Sequence, residues 1–254
     1  MNADSATVEA RYREAQDLQR QGDLEAAKAR FLELLREAPE HAEALHSLGN
    51  IDARAGNLDE AESLIRRAIA AKPLQASFVN SLGNIFKARG RFDKAAELYA
   101  QAIGMQPDFA VAHNNLGAVL LAAGDAEGAM EAILKALELD RNYAGAFDNL
   151  GRALNNLGRY QDAANALRRA VIIRPDFARA YNHLGHVLRA MGELDEARDA
   201  FEHALRIDPD LVSARRNLAT VLMSRGQYEE AIEAFEASLQ SEPGNVPTLV
   251  NLGV

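Results

Sequence analysis

The chain has 254 residues and a formal net charge of -9, with 48% hydrophobic and 6% aromatic residues. An acidic surface repels nucleic acid and anionic membranes, so neither is expected as a partner. The absence of cysteine excludes disulfides, thiolate metal sites and a cysteine nucleophile. No segment approaches the roughly 20 apolar residues of a membrane helix, and the N-terminus lacks the pattern of a signal peptide. We therefore expect a helix-rich cytoplasmic protein.

A glycine recurs every 34 residues, seven times without a shift, and an alanine follows each glycine after five residues. The glycines are Gly22, Gly56, Gly90, Gly124, Gly158, Gly192 and Gly226. Such regularity indicates a tandem array of small structural units rather than one compact core. The predicted organisation is an N-terminal tail at 1–7, seven full repeats at 8–41, 42–75, 76–109, 110–143, 144–177, 178–211 and 212–245, and the truncated start of an eighth at 246–254.

Each repeat predicts two helices, which we call helix A and helix B. In the repeat 42–75, helix A ends near Arg54, a glycine in the left-handed region follows, and helix B begins near Asp59. Acidic or amide residues near the start of each helix are expected to cap its free amides. The expected caps are Asp108, Asn142, Asp176 and Asp210 for helix A, and Asp59, Asp93 and Asp195 for helix B.

A Leu-Gly pair, such as Leu48-Gly49, and a proline, such as Pro39, share the 34-residue period. With the small residues at fixed places, they make the chain resemble the tetratricopeptide repeat (TPR) family over residues 8–245. This resemblance implies an all-α fold, a right-handed superhelical TPR solenoid of antiparallel helix pairs. It also implies that helix A lines a concave groove in which ligands lie.

The two ends of the array differ. Arg11 and Glu14 occupy places that are apolar in later repeats, so the first repeat is expected to cap the array against water. Leu249 and Leu252 begin another helix A without a helix B to cover it. Two hypotheses follow from that end: the protein continues past Val254, or it self-associates there.

We number positions from the first residue of each repeat. At 100° per residue, helix A positions 4, 7, 8 and 11 form the core, and positions 2, 5, 6, 9, 12 and 13 form the opposite side, which we call the A-helix face. This face holds 11 of the 16 asparagines: Asn50, Asn80, Asn84, Asn114, Asn115, Asn149, Asn155, Asn156, Asn182, Asn217 and Asn251. Helix propensity does not explain the enrichment.

Two interpretations of these asparagines stay open. In the structural one, the carboxamides face solvent or bond between neighbouring A helices. In the functional one, they hydrogen bond to the backbone of an extended peptide. The TPRs of O-linked N-acetylglucosamine transferase type proteins carry such a row at position 6, which this chain resembles at Asn115, Asn149, Asn217 and Asn251.

The A-helix face carries eight basic residues against three acidic ones, a net charge of +5, so the rest of the chain carries -14. Basic side chains concentrate in repeats five to seven, which favours an acidic segment or a carboxylate there. The predicted peptide-binding residues are Asn50, Asn80, Asn84, Asn114, Asn115, Asn149, Arg152, Arg179, Asn182, His183, His186, Arg189, Arg216 and Asn217.

No catalytic constellation, metal site or cofactor is expected. His183 and His186 share a helix face but have no third ligand nearby in the sequence, and the glycines end helices instead of forming a phosphate loop. The sequence therefore predicts a protein-interaction scaffold that is not itself an enzyme. The alternatives are the substrate-recruiting arm of a larger glycosyltransferase or sulfotransferase, and a self-assembling scaffold.

Overall fold

The structure is a computed structural model that describes residues 5–241, with side chains described within residues 6–239. The described residues form fourteen α-helices joined by short turns and contain no strand. The chain divides between Ala123 and Gly124 into two compact parts, which we call the N-terminal body and the C-terminal body. The division falls between the two helices of the fourth repeat.

Odd-numbered helices correspond to helix A and even-numbered helices to helix B. The N-terminal body contains α1 Ser5–Gln21, α2 Leu24–Glu37, α3 Ala42–Arg54, α4 Leu58–Ala71, α5 Ala76–Ala88, α6 Phe92–Met105 and α7 Ala110–Ala122. The C-terminal body contains α8 Ala126–Leu139, α9 Ala144–Asn156, α10 Tyr160–Ile173, α11 Ala178–Ala190, α12 Leu194–Ile207, α13 Val212–Ser224 and α14 Tyr228–Ser241. The all-α repeat solenoid predicted from the sequence is confirmed.

The recurring glycine ends each helix A as predicted. All seven glycines have positive φ between 71° and 88°, a conformation that side chains with a Cβ disfavour. After α3, the Gly56 amide donates to Ala53 O (3.2 Å) and the Asn57 amide donates to Asp52 O (2.9 Å). These two bonds form a Schellman motif, which satisfies the last carbonyls and turns the chain into helix B.

The glycine of the Leu-Gly pair allows helices A and B to approach closely. A Cβ on Gly83 would lie 2.6 Å from a ring carbon of Tyr99, and one on Gly185 would lie 2.7 Å from a ring carbon of Phe201. Both aromatic rings are fully buried. The packing of these rings explains why position 8 of helix A is glycine in their repeats.

The predicted helix caps were wrong. Asp59, like Asp93 and Asp195, lies inside the first turn of its helix B, because that helix begins one residue earlier. A carboxylate there still interacts favourably with the helix dipole. No side-chain cap bond forms at the start of α7, α9, α11 or α13 either. The described side-chain caps are Asp23, His41 and Asp125.

The first repeat presents charged side chains where later repeats are apolar, as the sequence predicted. Arg11 pairs with Glu37, and Arg30 Nε lies 3.3 Å from the Glu14 carboxylate. Leu249 and Leu252, on which the self-association hypothesis rests, lie outside the described residues. In the described part of the chain, no helix is long and apolar enough to cross a membrane.

Candidate functional site

Side chains at position 5 of one helix A bond to position 6 of the next helix A in the N-terminal body. Asn115 Nδ2 donates to Asn80 Oδ1 (3.0 Å), and Ser81 Oγ lies 2.9 Å from His46 Nε2. The Tyr12 hydroxyl likewise bonds to the side chain of the position-6 residue Ser47. These pairs are 35 residues apart in the sequence and tie neighbouring A helices together.

The C-terminal body repeats this arrangement. Asn217 Nδ2 donates to Asn182 Oδ1 (3.0 Å), and His183 Nδ1 lies 2.6 Å from a carboxylate oxygen of Asp148. The position-5 members, Asp148 and Asn182, are buried, whereas their position-6 partners are partly exposed. Asn114 and Asn149 are engaged as well. We call these interhelical pairs the rungs of the A-helix face.

The rungs support the structural interpretation of many of the asparagines. Each carboxamide has two donors and two acceptor positions, and one rung uses a single donor or acceptor. The partly exposed position-6 side chains, such as Asn115 and Asn217, therefore keep hydrogen-bonding capacity for a ligand. Reading positions 5 and 6 at a spacing of 35 residues would have revealed the rungs from the sequence.

Two predicted position-9 residues also have partners within the protein. Asn84 Oδ1 accepts a hydrogen bond from the Tyr99 hydroxyl (2.7 Å), whose pKa is raised by burial. Asn50 Nδ2 lies 3.1 Å from His46 Nε2. Burial lowers the pKa of His46 to about 4, so its ring is neutral at pH 7. A neutral Nε2 accepts from both Asn50 and Ser81, which places the ring proton on Nδ1.

Two of the four basic side chains on the A-helix face of the N-terminal body are paired with acids on their own helix. Arg13 Nε lies 3.1 Å from Glu9, and Arg20 Nη2 lies 2.8 Å from Asp17, each on the same helix. Burial lowers the pKa of Lys87. Arg54 is exposed and forms no ion pair among the described residues, so this part of the face keeps one unpaired arginine in addition to Lys87.

The arginines on the A-helix face of the C-terminal body differ. Among the described residues, Arg152, Arg179 and Arg189 form no ion pair. Arg152 Nη1 donates to Asn149 Oδ1 (3.0 Å), Arg179 is exposed, and Arg189 Nε is buried without a hydrogen-bond partner. Arg216, also predicted for this site, does have a partner.

Several other arginines of the same body, on B helices or at helix ends, are paired with carboxylates. Arg159 lies 2.6 Å from Asp162, and Arg168 lies 2.8 Å from Glu196. Other ion pairs join Arg198 to Asp199 and Glu202, and Arg225 to Asp195. Arg169 and Arg206, also on B helices, form no ion pair among the described residues, so unpaired positive charge is present on both helices of the repeat.

A cavity of about 220 Å³ opens on this face between α9, α10 and α11. Its lining residues are Gly151, Arg152, Asn155, Asn156, Leu167, His183, His186 and Val187. Burial, followed by the charge of Arg189 and the neighbouring His183, lowers the pKa of His186. The Asn155 Oδ1 atom is buried and has no hydrogen-bond partner among the described residues. The sequence placed Asn155 and Asn156 on the face but did not select them as site residues.

No group of three or more His, Cys, Asp or Glu side chains in the described chain is placed to hold a metal ion. Asp148 is already bonded to His183, and His186 is one turn away from that pair on α11. The chemistry available here is hydrogen bonding and charge complementarity.

Residues 3–246 match the family model of the Cilia and flagella-associated protein 70 C-terminal domain, a TPR model. The chain belongs to this tetratricopeptide repeat family. A search of curated proteins finds no match. TPR domains bind other proteins and are generally scaffolds without catalytic activity, so the coarse prediction of an interaction scaffold is supported.

Solved structures share the fold. The crystal structure of the APC/C hetero-tetramer Cut9–Hcn1 superposes with a TM-score of 0.85 at 19% identity, over 92% of this chain and 46% of that one. A TPR protein from Parabacteroides merdae gives 0.71 at 18% identity, over 98% of both chains. YrrB, described as a TPR protein with an unusual peptide-binding site, gives 0.56 at 23% identity, over 75% of this chain and 98% of that one. This chain therefore spans less than half of the Cut9–Hcn1 chain.

Proposed function

We propose that the chain is an interaction scaffold that holds an extended, acidic segment of another protein along its A-helix face. One observation carries the proposal: Arg152, Arg179 and Arg189 have no carboxylate partner among the described residues, in a chain with a net charge of -9. Desolvated charges at interfaces are generally arranged to meet opposite charges. A carboxylate-rich partner would supply them.

The rungs contribute in a second way. Because each rung fixes a position-6 side chain from one side, its remaining donor or acceptor is held in place before a ligand arrives. Preorganised groups bind with a smaller loss of conformational entropy. As in the TPRs of O-linked N-acetylglucosamine transferase type proteins, carboxamides of the A-helix face are proposed to hydrogen bond to the peptide backbone. This role is assigned to the partly exposed position-6 side chains, such as Asn217.

The test uses synthetic peptides of about nine residues, enough at roughly 3.3 Å per residue to cross three A helices spaced about 10 Å apart. Glu/Asp-rich, Gln/Asn-rich and Lys-rich series are compared by fluorescence anisotropy. We expect only the acidic series to bind, and more weakly as salt rises from about 0.05 to 0.3 M. Arg152→Gln with Arg179→Gln should weaken binding about tenfold or more.

The matched control is Arg168→Gln with Arg206→Gln, which removes the same charge from a partly exposed position on α10 and an exposed position on α12. It should change the affinity less than about twofold, because charges outside the contact act only through a screened field. Equal losses in the two double variants would refute the groove, as would no binding of any acidic peptide at about 1 mM.

The two other hypotheses keep their own tests. A substrate-recruiting arm of a glycosyltransferase or sulfotransferase would use the same face, and its acidic segment would belong to the substrate. A self-assembling scaffold would show a mass that rises with concentration in light scattering, and that mass would be insensitive to the Arg152 and Arg179 substitutions.

A further inference from the structure

We infer that the cavity between α9, α10 and α11 takes one carboxylate side chain, a glutamate or aspartate of the bound segment, which fixes the register of that segment on the A-helix face. The inference rests on the proposed function, because it places one side chain of the proposed ligand. Three observations support it: unpartnered buried atoms, available donors and the local charge.

Two buried polar atoms in this region lack a hydrogen-bond partner within the described chain: Asn155 Oδ1 and Arg189 Nε. Both residues occupy position 12, in neighbouring repeats, on α9 and α11. Buried polar atoms in folded proteins are nearly always hydrogen bonded. An acceptor and a donor left unpartnered at equivalent places of two neighbouring repeats therefore mark a network that a ligand, with its ordered water, would complete.

Donors for a carboxylate are present in the cavity wall. The Arg152 guanidinium has five N–H donors, and its only hydrogen bond to described residues is the one from Nη1 to Asn149 Oδ1. Asn156 is exposed at the end of α9 and makes no hydrogen bond with described residues. His183 also lines the cavity, and its Nδ1 is bonded to Asp148. A guanidinium with parallel N–H groups favours bidentate binding of a planar carboxylate.

The local charge selects a monoanion. Arg152 and Arg189 contribute two positive charges and Asp148 one negative charge, which leaves +1. His186 adds no charge at neutral pH, because burial first and the charge of Arg189 second lower its pKa. A carboxylate matches this charge, whereas a phosphate group, with a charge of about -1.5 to -2, exceeds it. The cavity volume of about 220 Å³ holds a carboxylate together with water.

The experiment starts from an acidic peptide that binds in the anisotropy assay. Each Glu or Asp is replaced in turn by Gln or Asn, and every peptide is titrated into the wild-type chain, Arg152→Lys and Arg179→Lys. Both variants keep the charge, but only the first lies in the cavity wall. We expect one peptide position at which loss of the carboxylate weakens wild-type binding about tenfold, and this factor should fall to about twofold in Arg152→Lys. In Arg179→Lys it should stay near tenfold.

Nuclear magnetic resonance supplies a second measurement that does not depend on affinity. At saturation, the acidic peptide should shift the ring signals of His183 and His186. The same peptide with Gln or Asn at the position that enters the cavity should shift them far less. A peptide that leaves both rings unperturbed while binding tightly would place the carboxylate elsewhere and overturn the inference.

The other outcomes separate this inference from the proposed function. In one, replacing the carboxylate weakens binding by the same factor of about two at every acidic position and in all three proteins. That result would leave the binding of acidic peptides intact, but it would refute the placement of one carboxylate in the cavity. Failure of all acidic peptides to bind would refute the proposed function, and with it the placement of a carboxylate in the cavity. Tighter binding of a phosphoserine than of glutamate at the same position would refute the carboxylate assignment.

Discussion

The N-terminal and C-terminal bodies are built from the same repeat but expose different electrostatics on their A-helix faces. In the N-terminal body, Arg13 and Arg20 are neutralised by acids one turn away on their own helix. In the C-terminal body, Arg152, Arg179 and Arg189 have no such acid within the described residues. The repeat framework thus fixes where side chains lie, and local charge pairing decides which part of the face is available to a ligand.

The rungs show a parallel contrast. The pair Asn80–Asn115 in the N-terminal body is neutral, as is its neighbour formed by His46. The C-terminal body has one neutral rung, Asn182–Asn217, and one that contains the carboxylate of Asp148. Rungs therefore link neighbouring A helices in both bodies, and in the C-terminal body the cavity beside His183 also borders Arg152, which has no ion pair within the described residues.

The largest expected effect tests the packing that both bodies share. Gly83→Ala forces a Cβ against the buried Tyr99 ring, and Gly185→Ala does so against Phe201. Each should lower the free energy of unfolding by about 2 to 3 kcal/mol, since an overpacked core must distort. The measurement is urea unfolding followed by circular dichroism.

Gly104→Ala in α6 is the control for that pair, because nothing lies within 4 Å of the added Cβ. Alanine is a better helix former, so this change should raise stability by up to about 1 kcal/mol. If Gly83→Ala and Gly185→Ala behaved like Gly104→Ala, the shared close packing of the bodies would be wrong.

A pH change should test the neutral His46 rung of the N-terminal body. The unfolded His46 binds a proton near pH 6.5, whereas burial lowers its folded pKa to about 4. Between these values the unfolded chain binds more protons, so stability falls as pH falls. The expected loss between pH 7 and pH 5 is about 2 kcal/mol. It is measured as the change in urea unfolding free energy.

His46→Asn serves as the comparison, since it removes the titrating ring from that rung. The difference in stability between pH 7 and pH 5 should shrink by most of that amount, whatever the absolute stability of the variant. An unchanged pH dependence would mean that His46 is not held neutral in the folded N-terminal body.

The smallest effect concerns one neutral rung. Asn80→Leu leaves Asn115 without its acceptor and should lower the free energy of unfolding by about 1 kcal/mol, and adding Asn115→Leu should recover part of the loss. Neither variant should weaken binding of the acidic peptide more than about twofold, because this rung belongs to the N-terminal body and contains none of the arginines of the proposed site. A tenfold loss of binding would extend the site into the N-terminal body.

Much of the fold followed from the spacing of a few residue types. Gly56 and its equivalents located the helix ends, and the alternation of core and free positions located the A-helix face. The helix caps could not be placed from residue type, because a shift of one residue moved Asp59 from the cap into the first turn. Cap identity depends on where the turn after the glycine closes, which is a tertiary property.

The candidate site was predictable only in part. The sequence placed His183, His186 and Arg152 together on one face, and the structure puts all three around one cavity. Asn84 was predicted as a ligand residue, yet its carboxamide oxygen bonds to Tyr99 from helix B. Such partners come from a different helix of the repeat, so no reading of helix A alone finds them.

By itself, the sequence determined the repeat length, the helix pairs and the residues of the A-helix face, because these depend on local turn geometry and on helical periodicity. The tertiary structure decided which of those residues satisfy one another. Neighbouring A helices bring Asn80 to Asn115 and Asp148 to His183, while Arg152 and Arg189 have no carboxylate partner in the described part of the chain. Hydrogen bonds and ion pairs act over a few ångströms, so only the packed arrangement of helices settles which groups are left for a partner.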